Sequence, residues 1–374
     1  MKKIKINMLS NADSVDGQGV GSAYLEQVSL IRDELKDDFE VVINNSKPAD
    51  IIHCHTILPK YLIQMKRNKS VNVAYVHFLP DTLDGSINLP KSALSVFKKY
   101  ITYFYNTADY LIVVNPIFIE DLVSFGIHRD KIRYIPNYVS KDAFYKENDD
   151  SIEKTRQDYG INKDAFVVLG VGQVQTRKGV KDFVEVAKQL PEMTFVWAGG
   201  FSFGKITDGY EELKEIYNNP PQNVKFIGII PREKMNHIYN IADVLFMPSY
   251  NELFPMAILE AVNSQKPLLL RDLNLYKDIL FQKYLSDISN EGFVNKIKEL
   301  QTNQELYNLY SHYSQEISEY YSKENVKKIW KDFYNSIVKN KKISHKIKKQ
   351  RKWRHSLHFF IKEDIFNENS YYLC

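Results

Sequence analysis

The chain has 374 residues, of which 44% are hydrophobic and 26% are charged, and its formal net charge is +4. This length and apolar content predict two globular domains rather than one, and they exclude a largely disordered chain. The two cysteines, Cys54 and Cys374, are too few for a disulfide framework and predict a reducing compartment.

The N-terminal stretch MKKIKINMLSNAD alternates apolar and polar positions, so it predicts a first β-strand rather than a signal peptide. No apolar run reaches the roughly 18 residues that a membrane-spanning helix needs. We therefore expect a soluble or peripheral protein.

Short β-rich runs alternate with helical patterns in both halves of the chain. This alternation predicts parallel sheets covered by helices. Two such series predict two Rossmann-like, doubly wound α/β domains with a cleft between them. The charged segment 141–163 is the expected join, so we expect domains over 1–145 and 155–322, followed by a C-terminal region over 323–374. The runs that predict strands are KIKINML, FEVVIN, ADIIHCH, VNVAYVHF, DYLIVVN, KIRYIPN, AFVVLGVG, MTFVWAGG, NVKFIGII, DVLFMPS and KPLLLRD.

Three glycines follow the first predicted strand in the stretch DGQGVGSAYLEQ. Gly17, Gly19 and Gly21 lead into a helical pattern, where glycines let the backbone approach a phosphate at the positive end of a helix. The spacing is not that of the G-x-G-x-x-G dinucleotide fingerprint. A phosphate-binding loop and a merely tight turn are both consistent with it.

A second glycine-rich loop, GVGQVQTRKGVKDF, places Arg177 and Lys178 directly before Gly179 and a helical pattern. Two cations beside exposed backbone amides suit a diphosphate. The alternative is a solvated Arg–Lys pair. Basic residues oppose the helix dipole at the start of a helix, however, so structure alone gives little reason for them.

The stretch NELFPMAILEAV brings two carboxylates to the start of a further helix. Pro255 suits the first turn of a helix, which leaves Glu252 in the preceding loop and puts Glu260 in the second turn. Carboxylates accept hydrogen bonds from sugar hydroxyls, and the amides of a first turn can face phosphate oxygens. The alternative is an ordinary helix entry with a solvated Glu260 paired to a lysine.

Three histidines lie at the ends of predicted strands in the first half. His53 and His55 share one strand face like a pair of metal ligands, but no third ligand is evident, so we interpret them as packing or as the lining of a site. The ordinary interpretation of His77, at the end of the next strand, is a satisfied core residue. The chain has no D-x-D motif.

The motifs together resemble the nucleotide-sugar domain of the retaining, GT-B-fold glycosyltransferases of family 4. The resemblance covers roughly residues 165–270, and the E-x7-E motif of the family falls on Glu252 and Glu260. It implies an acceptor-side domain, a nucleotide-sugar domain and a C-terminal helix that returns to the first domain. The matching stretches are VGQVQTRKG, TFVWAGG, VKFIGIIPREKMNHIYNIADVLFMPS, NELFPMAILEAV and KPLLL, with looser matches at ADIIHCH, VAYVHF, ADYLIVVNP and KIRYIPNYV.

The resemblance also implies a role for each motif residue. Lys178 would contact the diphosphate, Glu252 would hold the transferred sugar, and His77 would lie near the reacting sugar; we add the hypothesis that Arg177 assists Lys178 in catalysis. It implies a UDP-hexose donor and neither a metal nor another cofactor. The residues that it assigns to donor binding are Gly19, Gln173, Gly228, Ile230, Phe254, Met256 and Glu260, with Glu260 on the ribose hydroxyls.

Three positions depart from the family pattern. The usual arginine of the phosphate loop is Gln173 here, and we expect Arg177 to supply the missing charge. The family glycine after the motif phenylalanine is Pro255, so Phe254 or Met256 must donate the backbone N–H. The stretch RDLNLYKDIL stands where the family has a glycine-rich loop. This difference affects the expected acceptor or donor sugar rather than the expected reaction class.

Basic residues are concentrated near the C-terminus. Residues 339–354 contain nine Lys or Arg and no acidic residue, which leaves 41 basic against 46 acidic residues elsewhere. Cations with nearby aromatic residues predict contact with an anionic membrane surface. The alternatives are a solvated tail and a nucleic-acid patch, although we expect no nucleic-acid partner. A second candidate for membrane contact is 91–105, whose ordinary interpretation is a buried helix. The tail residues expected at the membrane are Lys346, Lys348, Lys349, Arg351, Lys352, Trp353 and Arg354.

A narrower resemblance rests on GQVQTRKG, WAGGFSFGKITDGY and LLLRDLNLYKDIL. These stretches resemble bacterial glycosyltransferases that add a second hexose to α-glucosyl-diacylglycerol, whose products are membrane glycolipids and lipoteichoic acid anchors. The resemblance implies a UDP-hexose donor (galactose in preference to glucose), a glycolipid acceptor and a peripheral position on the cytoplasmic face of the cell membrane. The alternatives are a transferase for a polysaccharide or soluble acceptor and a non-catalytic relative. Retention of Lys178, Glu252 and Glu260 together argues against the latter.

Overall fold

The chain is organised around two parallel sheets, as the sequence predicts, and each sheet has six strands. Residues Met1–Lys328 form one compact unit that contains both sheets, and residues Ile329–Cys374 form a second unit. The computed structural model describes residues 2–12, 19–77, 79, 91–202, 204 and 207–343.

The first sheet has the strand order β2-β1-β3-β4-β5-β6, and all neighbouring strands are parallel. Each of its strands coincides with one of the apolar runs in the first half of the sequence. The elements are β1 Ile4–Leu9, α1 Gly19–Ser29, β2 Phe39–Ile43, β3 Ile51–Cys54, α2 Pro59–Arg67, β4 Val71–Val76, α3 Lys91–Thr107, β5 Tyr110–Val113, α4 Phe118–Ser124 and β6 Ile132–Tyr134.

The second sheet has the strand order β12-β11-β10-β7-β8-β9, again with parallel neighbours. Five of its strands coincide with predicted runs, and the short edge strand β12 was not predicted. The elements are α5 Asp149–Asp158, β7 Val167–Val171, α6 Val180–Lys188, β8 Thr194–Ala198, α7 Tyr210–Asn218, β9 Val224–Gly228, α8 Met235–Ile241, β10 Val244–Met247, α9 Met256–Asn263, β11 Leu268–Arg271, α10 Leu275–Ile279, β12 Leu285–Asp287, α11 Asn290–Thr302 and α12 Gln304–Tyr320.

The core of the second sheet is built around aromatic rings. Phe183 of α6 packs edge-on against Trp197 of β8, with ring centroids 5.0 Å apart, and stacks on Phe246 of β10 at 5.7 Å. All three side chains are buried, and burying each contributes roughly 1.5–3 kcal/mol to folding. Helices cover both faces of a parallel sheet, which explains why its strands are continuous apolar runs.

Each sheet has one point at which the strand order reverses. This point lies between β1 and β3 in the first sheet and between β7 and β10 in the second. Ligands of doubly wound sheets bind outside the carboxyl ends of the strands at such points. Both motif loops of the second half, residues 172–179 after β7 and 248–255 after β10, leave the sheet there. The topology therefore places the predicted cations and carboxylates at one edge.

The chain is helical again over residues 323–343, which we call α13. Within the first compact unit, the ammonium of Lys323 lies 3.2 Å from carboxylate oxygens of both Glu34 and Asp142. The start of α13 is thus ion-paired to residues that precede the second sheet. The proposed domain limits stay a prediction.

In the second compact unit the structure describes residues 329–343, where the Trp330 ring stacks on that of Tyr334 at 5.2 Å. The seven basic and aromatic residues expected at a membrane, at positions 346–354, lie outside the described residues. Among the helices that the structure does describe, none combines the length and the apolar character needed to cross a bilayer.

Candidate active site

The loop after β7 lies against the loop after β10 at Gly179. This residue has a φ of +69°, and a Cβ on it would lie 2.3 Å from the carbonyl oxygen of Pro248, so only glycine fits. The N–H of Tyr250 donates to the carbonyl oxygen of Arg177 at 2.8 Å. The two predicted loop cations are thereby held next to the loop after β10.

Lys178 and Glu252 form a buried ion pair. The Nζ of Lys178 contacts Oε1 of Glu252, and Nη1 of Arg177 lies 3.8 Å from Oε2 of the same carboxylate. Burial lowers the pKa of Lys178 despite the attraction of Glu252. Burial would raise the pKa of Glu252, but the charges of Lys178 and Arg177 outweigh it and hold that pKa below its ordinary value. Two cations against one carboxylate leave net positive charge for an anionic ligand.

Arg177 is anchored by side chains and backbone of both loops. Its Nε donates to Oε1 of Gln175 at 3.1 Å, and its Nη1 donates to the carbonyl oxygen of Asn251 at 3.1 Å. The Nε2 of Gln175 donates in turn to Oε1 of Gln173 at 2.7 Å. Gln173, which stands where the family arginine is expected, is therefore linked to Arg177 through Gln175. That Arg177 supplies the missing charge stays a prediction.

Two asparagines from the first sheet hold the loop that carries Glu252. Asn115, after β5, donates to the carbonyl oxygen of Leu253 at 3.2 Å, and Asn137, after β6, donates to that of Phe254 at 3.1 Å. Both asparagines are buried. Neither was singled out in the sequence, although a polar residue just beyond the carboxyl end of a buried strand is a signal for such a role.

Glu260 is buried in a separate cluster. Its Oε1 accepts a hydrogen bond from Nη1 of Arg232 at 2.5 Å, and its Oε2 accepts one from the hydroxyl of Tyr239 at 2.6 Å. The Nη2 of Arg232 donates to Oε1 of Glu26, on α1, at 2.6 Å. The alternative of a solvated Glu260 paired to a lysine is therefore wrong. The structure brings Glu252 together with the loop cations and Glu260 together with a different cation, which the sequence did not single out.

The residues between the two glutamates form the entry to α9. Pro255 is the N-cap of α9 (φ −64°, ψ 133°) rather than a residue of its first turn. Phe254 and Met256 are buried, and the Phe254 ring meets that of Tyr321 edge-on at 5.0 Å. The side chain of Phe254 thus packs into the protein, so any contribution of this residue to ligand binding comes from its backbone.

Two further predicted donor residues lie at the carboxyl end of β9. Gly228 ends this strand with a φ of +76°, and its carbonyl oxygen accepts a hydrogen bond from the N–H of Gly199 at 2.8 Å. Ile230 follows in the connection to Arg232 and is partly exposed. Both lie at the carboxyl edge of the second sheet, to which the motif loops also belong. Their role in donor binding stays a prediction.

The three histidines stack at the carboxyl ends of β3 and β4. The ring centroid of His55 lies 4.6 Å from that of His53 and 5.7 Å from that of His77. Tyr75 stacks on His77 at 4.4 Å, and its hydroxyl donates to Oδ1 of Asn137 at 3.0 Å. Burial lowers the pKa of His53 and of His77 to about 3. These imidazoles are therefore neutral at pH 7, and the stack is linked to the loop that Asn137 holds.

Some ring nitrogens of this stack have no hydrogen bond to the described residues. Both ring nitrogens of His55 and Nε2 of His77 are buried without a hydrogen-bond partner in the described structure. Within the described ranges, no three His, Cys, Asp or Glu side chains are grouped as metal ligands. The interpretation of His53 and His55 as packing or site lining and the expected independence from metal both stay predictions.

The glycine stretch after β1 is described only in part. Gly17 lies outside the described residues, and Gly19 opens α1. A Cβ on Gly21 would lie 2.8 Å from the carbonyl oxygen of Ala12, so α1 packs directly on the loop after β1. This contact gives Gly21 a structural role, and phosphate binding at Gly19 stays a prediction.

The sequence matches two protein-family models. Residues 151–317 match the model described as Glycosyl transferases group 1, and residues 31–143 match the one described as Glycosyltransferase Family 4. The first match includes both motif loops of the second sheet. The second includes most of the first sheet.

Two similar curated proteins act on diacylglycerol lipids by name. The chain is 46% identical over 335 residues to the alpha-galactosylglucosyldiacylglycerol synthase of Streptococcus pneumoniae, an alignment that covers 89% of this chain and 90% of that protein. It is 27% identical over 266 residues to the processive diacylglycerol alpha-glucosyltransferase of Acholeplasma laidlawii, which covers 71% of this chain and 77% of that protein.

Two similar solved structures share the architecture at low sequence identity. Sucrose-phosphate synthase from Thermosynechococcus elongatus matches with a TM-score of 0.74 at 15% identity, over 90% of this chain and 100% of that one. Anabaena HepE in complex with UDP-glucose matches with a TM-score of 0.73 at 16% identity, over 89% of this chain and 100% of that one. These similarities confirm the fold that the sequence predicts.

Proposed function

The chain belongs to the family 4 glycosyltransferases and has their GT-B fold, and on this premise we propose that it transfers a hexose from a UDP-sugar to α-glucosyl-diacylglycerol with retention of configuration. The observation that carries the proposal is the 46% identity, over 89% of the chain, to a synthase named for galactosylglucosyldiacylglycerol. That name supports galactose as the transferred sugar. The relative named as a glucosyltransferase keeps glucose as the alternative.

The reaction exchanges one bond at the anomeric carbon of the donor. The bond from this carbon to the diphosphate oxygen breaks, and a bond to the acceptor hydroxyl oxygen forms on the same face. The hydroxyl proton passes to the departing diphosphate. The protein contributes by positioning the two substrates and by stabilising the charge that develops on the diphosphate.

Arg177 and Lys178 supply that stabilising charge. They lie at the reversal point of the second sheet beside Glu252, with one positive charge in excess. An arriving diphosphate competes with Glu252 for Lys178, which frees the carboxylate to accept hydrogen bonds from hydroxyls of the transferred sugar. Donor binding is therefore an exchange of ion-pair partners.

The two loop cations also take the place that a divalent metal occupies in other phosphate-transfer sites. On this proposal, the turnover of purified protein in excess EDTA equals that in added Mg²⁺. A loss of turnover of more than about tenfold in EDTA, restored by the metal, would contradict it.

The first sheet supplies the acceptor side of the reaction. His77 directly follows β4 at the carboxyl edge of that sheet, and its neutral ring carries a buried nitrogen without a partner in the described structure. A neutral imidazole can donate or accept a hydrogen bond. We assign His77 to a hydroxyl of the reacting sugars and Gly19, at the start of α1, to the donor phosphates.

A basic face on the first domain provides a route to a lipid acceptor. Helices α2 and α3 contact each other and contain no acidic residue. Helix α3 buries Ile101, Phe104 and Tyr105 against the sheet, whereas Val96 and Tyr103 on the same helix are 69% and 49% exposed. The helix is thus buried on one side and presents large apolar groups on the other.

Cations surround these exposed groups. The ammonium of Lys66 on α2 lies 4.6 Å from the ring centroid of Tyr103, and Lys60 and Lys99 are exposed. Ile63, between the lysines of α2, is 48% exposed. Apolar groups framed by lysines suit the interface of an anionic bilayer, where each cation contributes about 1 kcal/mol. We propose that this face and the basic tail hold the protein at the membrane.

The proposal is tested by UDP release in the presence of defined acceptors. The full-length protein is supplied with UDP-galactose or UDP-glucose and with α-glucosyl-diacylglycerol in anionic vesicles. Matched reactions contain vesicles without the glycolipid or a panel of soluble sugars. We expect release that depends on the glycolipid, faster with UDP-galactose, and a product with an α-linkage.

Each other outcome changes one part of the proposal. Release that depends on a soluble sugar or a polysaccharide refutes the lipid acceptor, and faster release with UDP-glucose refutes the choice of donor. Failure to bind UDP or to release it with any acceptor would indicate a non-catalytic relative.

A further inference from the structure

We propose that Arg232 is a positioning residue that ties α1 to α9 across the donor site and holds that site closed during transfer. The proposal rests on the proposed glycosyltransferase function, because its main readout is the fate of a UDP-sugar. Neither Arg232 nor its partner Glu26 was among the residues that the motifs single out.

The guanidinium of Arg232 bridges two carboxylates from different parts of the chain. Its Nη1 donates to Glu260 on α9 at 2.5 Å, and its Nη2 donates to Glu26 on α1 at 2.6 Å. The same group lies 4.9 Å from the ring centroid of Phe144. Arginine suits this position because its planar fork carries donors in fixed directions, whereas lysine offers a single charged point.

Both carboxylates are held by other groups as well, so the bridge joins fixed points. Oε2 of Glu26 accepts from the N–H of Ser140 at 3.2 Å, and Oε2 of Glu260 accepts from the hydroxyl of Tyr239. Glu26 and Glu260 are only 8% and 5% exposed. Without the arginine, two buried carboxylates would face each other without a counter-charge, which is strongly unfavourable.

The position of the bridge gives it a functional consequence. Glu26 lies two turns after Gly19, the residue that opens α1, and Glu260 lies on α9, whose entry loop carries Glu252. A fixed distance between α1 and α9 therefore fixes Gly19, at the start of α1, relative to the carboxylate and cations of the second sheet. Loss of the bridge would let these groups move apart and admit water to the reacting sugar.

The test compares Arg232→Gln, Arg232→Lys, Glu26→Gln and the Arg232→Gln/Glu26→Gln double variant with wild type. Each full-length protein is assayed for UDP binding, for transfer, and for hydrolysis of the UDP-sugar without acceptor. We expect transfer to fall about 10- to 100-fold in both single Gln variants. Hydrolysis per transfer event should rise, and the double variant should resemble the singles because both changes break the same bridge.

Arg232→Lys should lie between wild type and Arg232→Gln, because an ammonium reaches only one carboxylate well. The matched control is Arg129→Gln, which removes an arginine from an exposed ion pair with Glu120 and should leave the ratio of hydrolysis to transfer unchanged. Thermal unfolding of every variant shows whether a change in this ratio occurs in protein that is still folded.

The proposal is refuted if Glu26→Gln keeps the wild-type ratio while Arg232→Gln alone loses UDP affinity, since Arg232 would then be a direct nucleotide ligand. It is equally refuted if the ratio is unchanged in both variants. Hydrolysis and UDP binding need no acceptor, so with a wrong choice of acceptor the rate of hydrolysis relative to wild type replaces the ratio as the readout: it should rise in both single Gln variants, and an unchanged rate refutes the proposal. A wild-type protein that fails to bind UDP contradicts the proposed function itself.

Discussion

At the scale of single residues, the Lys178–Glu252 ion pair determines how much a substitution of either residue lowers the free energy of unfolding. Each side chain is largely buried against the other, and removing one partner of a buried pair costs up to about 3–5 kcal/mol; Arg177, 3.8 Å from Glu252, reduces this cost when Lys178 is the residue removed. The same lysine is proposed to act on the donor diphosphate. Its loss therefore combines a structural effect with a chemical one, and the two must be measured separately.

We predict that Lys178→Ala lowers kcat by about 100- to 1000-fold, the usual effect of removing a group that stabilises developing negative charge. The KM for the glycolipid acceptor should change little, because Lys178 is proposed to contact the donor diphosphate and not the acceptor. Lys188→Ala, which breaks an exposed ion pair with Glu185 at the end of α6, is the control. Near-normal turnover of Lys178→Ala at full occupancy of the folded state would refute the assignment.

At the scale of elements, loops at the carboxyl ends of the strands carry the site, and their positions depend on contacts from the other sheet. Asn115 and Asn137 hold the loop before α9 over sequence separations of 138 and 117 residues. Such partners cannot be read from local sequence, because neither periodicity nor spacing relates residues so far apart. The same limit applies to Arg232, whose partner Glu26 is 206 residues away.

The strands and motif loops themselves could be predicted, because burial of parallel strands on both faces leaves continuous apolar runs in the sequence. Strand β12 was missed because Leu285–Asp287 contains one apolar residue and pairs only with β11 at the sheet edge. The convergence of Lys178 with Glu252 follows from the position of β7 beside β10. The pairing of Glu260 with Arg232, in contrast, has no signal in the sequence pattern and is seen only in the structure.

We predict that Asn137→Ala lowers kcat about tenfold and lowers the free energy of unfolding by about 2 kcal/mol, because the substitution removes the hydrogen bonds to the Phe254 carbonyl and from the Tyr75 hydroxyl. The reason is that the Phe254 carbonyl loses its donor and the loop bearing Glu252 gains freedom. Asn106→Ala, at an exposed asparagine whose side chain bonds within α3, is the matched control. Equal activity in the two variants would show that the first sheet does not position this loop.

The histidine stack predicts a loss of stability in mild acid. Burial holds the pKa of His53 at about 3 in the folded chain and the pKa of His55 well below its ordinary value, whereas the unfolded chain binds these protons near pH 6.5. The unfolded state therefore gains protons first as the pH falls. The stabilising effect is complete above pH 6.5 and is lost progressively as the pH decreases towards 3.

Urea unfolding between pH 7.5 and pH 5 measures this effect. Below pH 6.5 we expect the free energy of unfolding to fall by about 1.4 kcal/mol per pH unit for each buried imidazole. His53→Phe should reduce the slope, whereas replacing the exposed His312 by Gln should not. A pH-independent free energy of unfolding across this window would contradict the prediction.

At the scale of the whole molecule, the charge distribution matters more than the net charge. The acceptor is proposed to lie in a bilayer, so the protein must meet that surface while its cleft stays open to a water-soluble donor. The exposed lysines and apolar groups of α2 and α3 lie on helices that accompany the first sheet. The proposed nucleotide loops leave strands of the second sheet, so on this proposal one molecule reaches both the membrane and the water-soluble donor.

We predict that the double variant Lys60→Glu and Lys99→Glu binds anionic vesicles at least about tenfold more weakly than wild type at low salt. The effect should shrink as salt screens the attraction. The control reverses two exposed lysines of the second domain, Lys188→Glu and Lys298→Glu. A variant without residues 344–374, assayed in parallel, measures how much the basic tail contributes to vesicle binding. Unchanged binding both in this truncation and in the Lys60→Glu and Lys99→Glu variant would rule out the membrane role.

The loops over residues 172–179 and 248–255 are packed closely together, because a Cβ on Gly179 would lie 2.3 Å from the Pro248 carbonyl oxygen and the N–H of Tyr250 donates to the carbonyl oxygen of Arg177. Attempts to re-target the enzyme by grafting sequence from relatives with a different sugar preference should therefore transplant residues 172–179 and 248–255 as a matched set. Chimaeras that exchange one segment alone are expected to lose activity for either sugar. Paired exchanges should retain it.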